Sequence, residues 1–360
     1  MITVALRLQN MLKRFLKKKG YSDEFLQKSG LFSQKHADAA FFFNRLMFPI
    51  FDRRGQAVAL GGRLLEGDGP KYLNSGDLIQ YKKGETLYAF NFAKQAIRET
   101  KTVIFCEGYM DVIAYHQCGI CNAVAPLGTA LTEEQLKLVK GFAETVLLSF
   151  DSDGAGRNAT KRAMLMCRRQ NLTVKIIRLE GGKDPAEIML KFGPESLTTA
   201  VNNAILDSDF LLSALMHEYP NSSPENKAKA SLAFFPYVDA LQSDIQKSAS
   251  LEQLCQAYGL SPEAVQRDFT NRTQVRSRLA QNKSSVPDAQ PQLKMTAELR
   301  AIMAVLTDTN QFALMQAELT ENDFEDAVAK YVFTLMEQCA KENALSVATV
   351  LNHCTNEEVR

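Results

Sequence analysis

The chain has 360 residues, of which 46% are apolar and 23% charged, and its net charge is +1. That length is divided among two or three domains rather than one small core, and near-neutrality confines any nucleic-acid contact to local basic patches. No apolar run approaches the roughly 20 residues that span a bilayer, which excludes a membrane protein, and seven scattered cysteines fit reduced thiols of a cytoplasmic monomer better than a disulfide framework.

Met1–Gly20 alternates apolar residues with Lys and Arg and reads as an amphipathic helix, not a signal peptide. Ser22 caps a short helix over Glu24–Lys28. Phe48–Phe51 and Gln56–Gly61 flank a turn as a hairpin, and Glu66–Pro70 is a loop. From Lys101 the pattern changes. Strands are expected at Thr102–Cys106, Asn122–Pro126, Thr145–Phe150 and Thr173–Leu179. Between them fall helices at Tyr109–His116, from Thr132 to Phe142, and at Arg157–Gln170. Pro185–Phe192 closes the series. Thr132-Glu133-Glu134-Gln135 has capping-box form. Four strands with helical crossovers predict an α/β domain whose parallel sheet is covered on both faces. Beyond Gly193 the apolar spacing is helical, with helices at Ile205–Tyr219, Glu225–Leu241 and Ile245–Thr270. The domains are therefore set at 1–98 (α+β), 99–192 (α/β), 193–274 (helical bundle), 275–293 (linker) and 294–360 (helical).

In open parallel sheets, chemistry gathers beyond the carboxyl ends of the strands. Three of the four ends here carry acids: Cys106-Glu107-Gly108-Tyr109-Met110-Asp111, Phe150-Asp151-Ser152-Asp153-Gly154, and Gly181-Gly182-Lys183-Asp184-Pro185-Ala186-Glu187. A lone acid there is a helix-capping residue and a lone Asp-x-Asp a turn; on neighbouring tips about 5 Å apart they form one cluster. Clustered carboxylates hold a proton or a cation, and an all-oxygen set selects Mg²⁺ or Mn²⁺, which share their remaining positions with phosphate. Gly108, Gly154 and Gly156 let backbone approach a ligand. Arg157 serves two readings, a phosphate contact or a partner for Asp151 or Asp153. Cys118-Gly-Ile-Cys121 is read as two thiols around a turn, since a structural zinc needs four ligands and no second pair exists.

These motifs resemble the Toprim domain, and EGYMDV (107–112), PLGTALT (126–132), FDSDGAGRNATKRA (150–163) and GGKDPAE (181–187) resemble the bacterial DnaG-type primase family. So do NRLMFPIFDRRGQAVALGGRLL (44–65), GPKYLNS (69–75) and KKGETLYAF (82–90). The resemblance implies a primase core in which Glu107, Asp151, Asp153 and Asp184 face two or more Mg²⁺ or Mn²⁺ ions, with Asp111 in support. It implies a basic strip of Arg45, Arg63, Lys71, Tyr72, Asn74 and Lys83 for single-stranded DNA template and ribonucleoside triphosphates. The segment from Thr296 resembles the start of the family's helicase-binding domain, shortened, so that contact with the replicative helicase is expected to be weak. Two further departures are Ala186 in place of an aspartate, with Glu187 beside it, and no zinc-binding quartet, so no zinc is expected. The implied activity is RNA primer synthesis. The rivals are a Toprim nuclease, a catalytically impaired DNA- or helicase-binding fragment, and a haloacid-type phosphatase, whose loop carries Thr where Ala155 stands. No GxxxxGK[ST] loop is present, which excludes a fused helicase.

Overall fold

The computed structural model describes residues 4–6, 11–33, 39–128, 130–151, 154–276, 296–342 and 345–354, divided between a unit of residues 1–276 and a second of residues 277–360. The first begins with an antiparallel sheet of β1 (Val4–Leu6), β2 (Arg45–Phe51), β3 (Ala57–Leu64) and β4 (Tyr72–Asn74), in that order. The helix expected over residues 1–20 is thereby corrected. Val4–Leu6 pairs with Arg45–Met47, and α1 (Met11–Lys18) alone is helical. An apolar run of three suits a strand or a helix equally, and the available sheet edge decides. α2 (Asp23–Lys28) is capped as expected, Phe25 N donating to Ser22 Oγ at 3.2 Å.

α3 (Phe90–Thr100) carried no mark in the sequence. Its Phe90, Ala93 and Ile97 enter the core of the following domain, so a boundary at residue 98 falls inside a helix that packs with what comes after it. Then come β5 (Thr102–Cys106), α4 (Tyr109–Gln117), β6 (Ala123–Val124), α5 (Glu133–Lys140), β7 (Thr145–Ser149), α6 (Gly154–Arg169), β8 (Thr173–Ile176) and α7 (Pro185–Phe192). The strands lie in the order β6-β5-β7-β8 and pair in parallel. Gly193, at φ +83°, stops α7, and Pro194 restarts the chain as α8 (Pro194–Asn202). Ile205–Leu206, expected to open a helix, instead forms β9, antiparallel on the β8 edge.

Alternation along the parallel strands produces two cores. Val103, Phe105, Val146, Leu148 and Val174 pack with Phe234 and Leu254 of the helical bundle. Ile104, Cys106 and Leu147 face the other way, toward Phe48, Ile50 and Tyr81 of the N-terminal region and Val112 of α4. Both sheet faces are buried, which is why these strands read as unbroken apolar runs.

The bundle consists of α9 (Asp207–Glu218), α10 (Pro224–Ala240), α11 (Asp244–Tyr258) and α12 (Pro262–Thr270). The single helix expected over 245–270 is two. Gly259 takes the left-handed conformation at φ +59°, Leu260 N returns to Cys255 O at 3.0 Å, and Ser261-Pro262 starts the next helix. The second unit contains helices at Ala297–Thr307, Phe312–Glu318, Ala327–Lys341 and Val347–His353 around Ile302, Phe333 and Met336. The expected linker lies outside the described residues beyond residue 276, and no helix among the described residues is long and apolar enough to cross a membrane.

Among the described residues two ion pairs join the sheet domain to the bundle, an exposed one between Lys161 and Glu218 at 4.0 Å and a buried one. Arg168, in the last turn of α6, donates from Nε to Asp207 Oδ2 at 2.7 Å, and Tyr237 OH donates to Asp207 Oδ1 at 3.1 Å. Asp207 is wholly buried, so removing it strands a guanidinium in the interior. Asp207→Ala is expected to lower stability by about 3–5 kcal/mol, read as an earlier midpoint in urea denaturation; a loss below about 1 kcal/mol would show the pair to be dispensable.

Candidate active site

Parallel register brings the acid-bearing tips level. Cys106 lies opposite Ser149 in the β5–β7 pair, so Glu107 and Asp151 emerge side by side, and the Asp151 N–H donates to Glu107 Oε1 at 2.9 Å. Gly156 is required here. A Cβ on it would lie 2.1 Å from the Asp151 carbonyl oxygen, so only glycine lets the first turn of α6 settle on this strand tip. Asp184 caps α7, accepting from Glu187 N at 2.7 Å, and Asp111 on α4 accepts from Gly108 N at 3.0 Å. Each of Glu107, Asp111 and Asp184 thus has one carboxylate oxygen oriented by a backbone amide.

These four acids line one cleft of about 680 Å³, together with Arg63, Lys71, Tyr72 and Asn74 from β3 and β4. Burial pushes the Asp111 carboxyl up to about 7, opposed by the Gly108 hydrogen bond and reinforced by the charges of Asp184, Asp151 and Glu107. The opposite wall is basic. Arg63 lies 5.8 Å and Lys71 6.0 Å from the Tyr72 ring centroid; burial raises the Tyr72 phenol and the Arg63 charge opposes the shift.

Other residues expected on the basic strip have different work. Arg45 is 5% exposed and donates to the carbonyls of Gly62 and Pro70 at 3.1 and 2.9 Å, holding the 66–70 loop. It is not on the cleft. Lys83 is not there either: its carbonyl, with that of Thr86, accepts from Gln135 Nε2 at 2.9 Å, tying the N-terminal region to the capping box of α5. Asn74 reaches the cleft but is clamped at both ends, accepting from Tyr109 OH at 2.8 Å and donating to Leu127 O at 3.4 Å. Arg157 is exposed on the first turn of α6, which starts at Gly154. Asp153 lies outside the described residues. Lys183 and Lys191 line the cleft as well, although the sequence reading passed over them inside and just beyond the GGKDPAE stretch. Glu187 accepts from Lys183 N at 2.9 Å and pairs with Lys191 at 2.6 Å, and these bonds hold its carboxyl below the ordinary range. Glu187 itself lines the cleft beside Asp184, with its carboxylate engaged by Lys183 and Lys191.

Among the described residues no three His, Cys, Asp or Glu side chains are arranged to hold a metal ion together. The donor set nonetheless fits a hard divalent cation. Mg²⁺ takes one or two carboxylates and completes its shell with water and phosphate, and an added positive charge would offset the repulsion that the neighbouring acids add to the burial of Asp111. Glu107, Asp151 and Asp184 are the residues that would hold it.

Three family models match the chain: "DNA primase catalytic core, N-terminal domain" over residues 2–94, "Toprim-like" over 104–189, and "DnaB-helicase binding domain of primase" over 208–263. The last falls on the bundle rather than on the segment from Thr296. A DNA primase from Treponema pallidum is 39% identical over 97% of this chain, and the chain spans 59% of that relative's length. A DNA primase domain from Pseudomonas aeruginosa aligns with a TM-score of 0.63 at 31% identity, covering 73% of this chain and 84% of that one. A DnaG primase catalytic domain bound to ssDNA aligns at 0.63 and 30%, covering 72% and 83%.

The Asp111 environment has a signed consequence. Its folded carboxyl is pushed up to about 7 from an ordinary value of 3.8, so stability falls as pH rises between those values, and the loss is complete above 7. In EDTA, Asp111→Asn, which keeps an oxygen for the Gly108 amide, is expected to exceed the parent by about 4 kcal/mol at pH 8 and to come close to it at pH 4. Urea midpoints across that range test this, and a pH-independent difference refutes it.

Proposed function

The chain belongs to the bacterial DnaG-type DNA primase family, and from that premise we propose that it is a primase core that joins ribonucleotides on a single-stranded DNA template. The observation carrying this reading is the meeting, in one cleft, of carboxylates from three strand tips with a basic wall from a different sheet. A nuclease needs the acids but would not need the Lys71 region, whose cations gathered at one point suit a triphosphate. Glu107, Asp151 and Asp184, with Asp153 carried over from the family resemblance, would hold two or more Mg²⁺ or Mn²⁺ ions. When bound, these would lower the pKa of the attacking 3′-hydroxyl and neutralise the departing pyrophosphate. Arg63, Lys71 and Lys183 supply donors for the triphosphate, and the exposed edge of Tyr72 offers a stacking surface for a base. Asn74, fixed by Tyr109 and Leu127, sets the distance between that wall and the acids.

The remaining partners follow the family. A relative binds single-stranded DNA, and we assign the same template to this chain. The match over residues 208–263 makes α9 to α12 the surface we assign to the replicative helicase. We place the protein in the cytoplasm.

Incubation with a single-stranded template, Mn²⁺ and labelled ribonucleotides tests the proposal. Extended products are expected, and template cleavage without extension would assign a nuclease instead. Glu107→Ala and Asp151→Ala are each expected to reduce synthesis at least about 100-fold, in line with removing a residue that acts in the transition state, with an unchanged circular dichroism spectrum. Near-normal synthesis by either variant would displace the site.

A further inference from the structure

A second cavity, of about 390 Å³, adjoins the first, and Glu107 and Gly128 are in the walls of both. Its character differs. Pro126, Leu131, Phe150 and Ala159 give it mainly apolar walls, and Arg162 supplies its cation. Phe150 is only partly buried, and Arg162 is exposed on α6, one turn beyond Asn158. Among the described residues the first cleft gathers four cationic side chains near the acids, whereas this one has a single guanidinium beside surfaces suited to a sugar and a base face.

This contrast has a chemical meaning that rests on the proposed polymerase reading. In phosphoryl transfer the attacking and leaving oxygens lie roughly in line on opposite sides of phosphorus. A triphosphate on Arg63, Lys71 and Lys183 directs its pyrophosphate toward the basic cleft, so the attacking 3′-oxygen enters from the opposite side. We propose that the cavity between the 126–131 loop and α6 receives the 3′-terminal nucleotide of the growing primer, and that Arg162 binds its phosphodiester. The 3′-oxygen forms the new bond to the α-phosphorus, the bond from that phosphorus to the bridging oxygen breaks, pyrophosphate departs, and the hydroxyl proton passes to solvent. A monoanionic phosphodiester matches one guanidinium, as a triphosphate matches several cations.

The same guanidinium would also suit a phosphate of the incoming nucleotide, and steady-state extension of a pre-annealed primer separates the two. Arg162→Ala is expected to raise KM for the primer–template about tenfold, leaving KM for the ribonucleotide within about twofold; Arg162→Lys should recover part of the loss. Ala159→Phe, which fills the cavity without removing a charge, should raise the same KM. Independently of catalysis, fluorescence anisotropy of the primer–template in EDTA should show weaker binding by Arg162→Ala and a salt slope reduced by about one. A shift confined to KM for the ribonucleotide, or parental primer affinity in both Arg162→Ala and Ala159→Phe, overturns the assignment. If the parent protein extends no primer, the polymerase reading fails, and the anisotropy measurement still decides whether Arg162 holds a strand.

Discussion

The hydrogen bond from the Asp151 amide to the Glu107 carboxylate couples two adjacent parallel strands at the place where both end. It exists because Cys106 and Ser149 stand opposite each other in an unbroken register. A slip of one residue would turn each strand's side chains over, moving Val103 and Phe105 out of one core and Ile104 out of the other. Burial on two faces therefore enforces the alignment of the acids. The catalytic geometry is inherited from packing far larger than itself.

That alignment has an electrostatic cost. Five carboxylates line one cleft, and desolvation, reinforced by its neighbours, pushes the most buried of them up to about 7. The opposing wall comes from a different sheet, brought over by contacts that are not charged. The Tyr109 hydroxyl holds Asn74, and its ring stacks on Phe48 with centroids 4.7 Å apart. At Gly61 a Cβ would stand 2.2 Å from that hydroxyl. The tyrosine after the first acid thus serves as the hinge pin between the acidic and basic halves, a role that the EGYMDV stretch does not advertise.

Much of this was legible in the sequence for identifiable reasons. The strands of the parallel sheet are apolar on both faces, Thr132 and Gln135 carry their own cap, and the acids stand beside glycines. What escaped depends on partners distant in the chain. α3 begins at Ala89, whose φ of +63° and lack of a side-chain cap leave no start signal. The short strands at 4–6 and 205–206 are created by the edges they join. Arg45 belongs to the same basic family as Arg63 in any linear reading, and only the carbonyls of Gly62 and Pro70 reveal that it is structural. Glu187 lines the cleft as the acid beside Ala186, but its pairing with Lys191, one turn on, is not marked in the sequence.

α6 runs 16 residues, and about 18 Å of it separates the seat on the Asp151 carbonyl at Gly156 from the ion pair at Arg168. It behaves as a strut pinned at both ends, with no compliant joint between the strand tips and the bundle. Heat or denaturant that loosens the bundle must therefore drag the acid-bearing end with it. Residues 1–276 should accordingly melt as one cooperative block, in which the alignment of the acids and helical-bundle integrity are lost in a single transition.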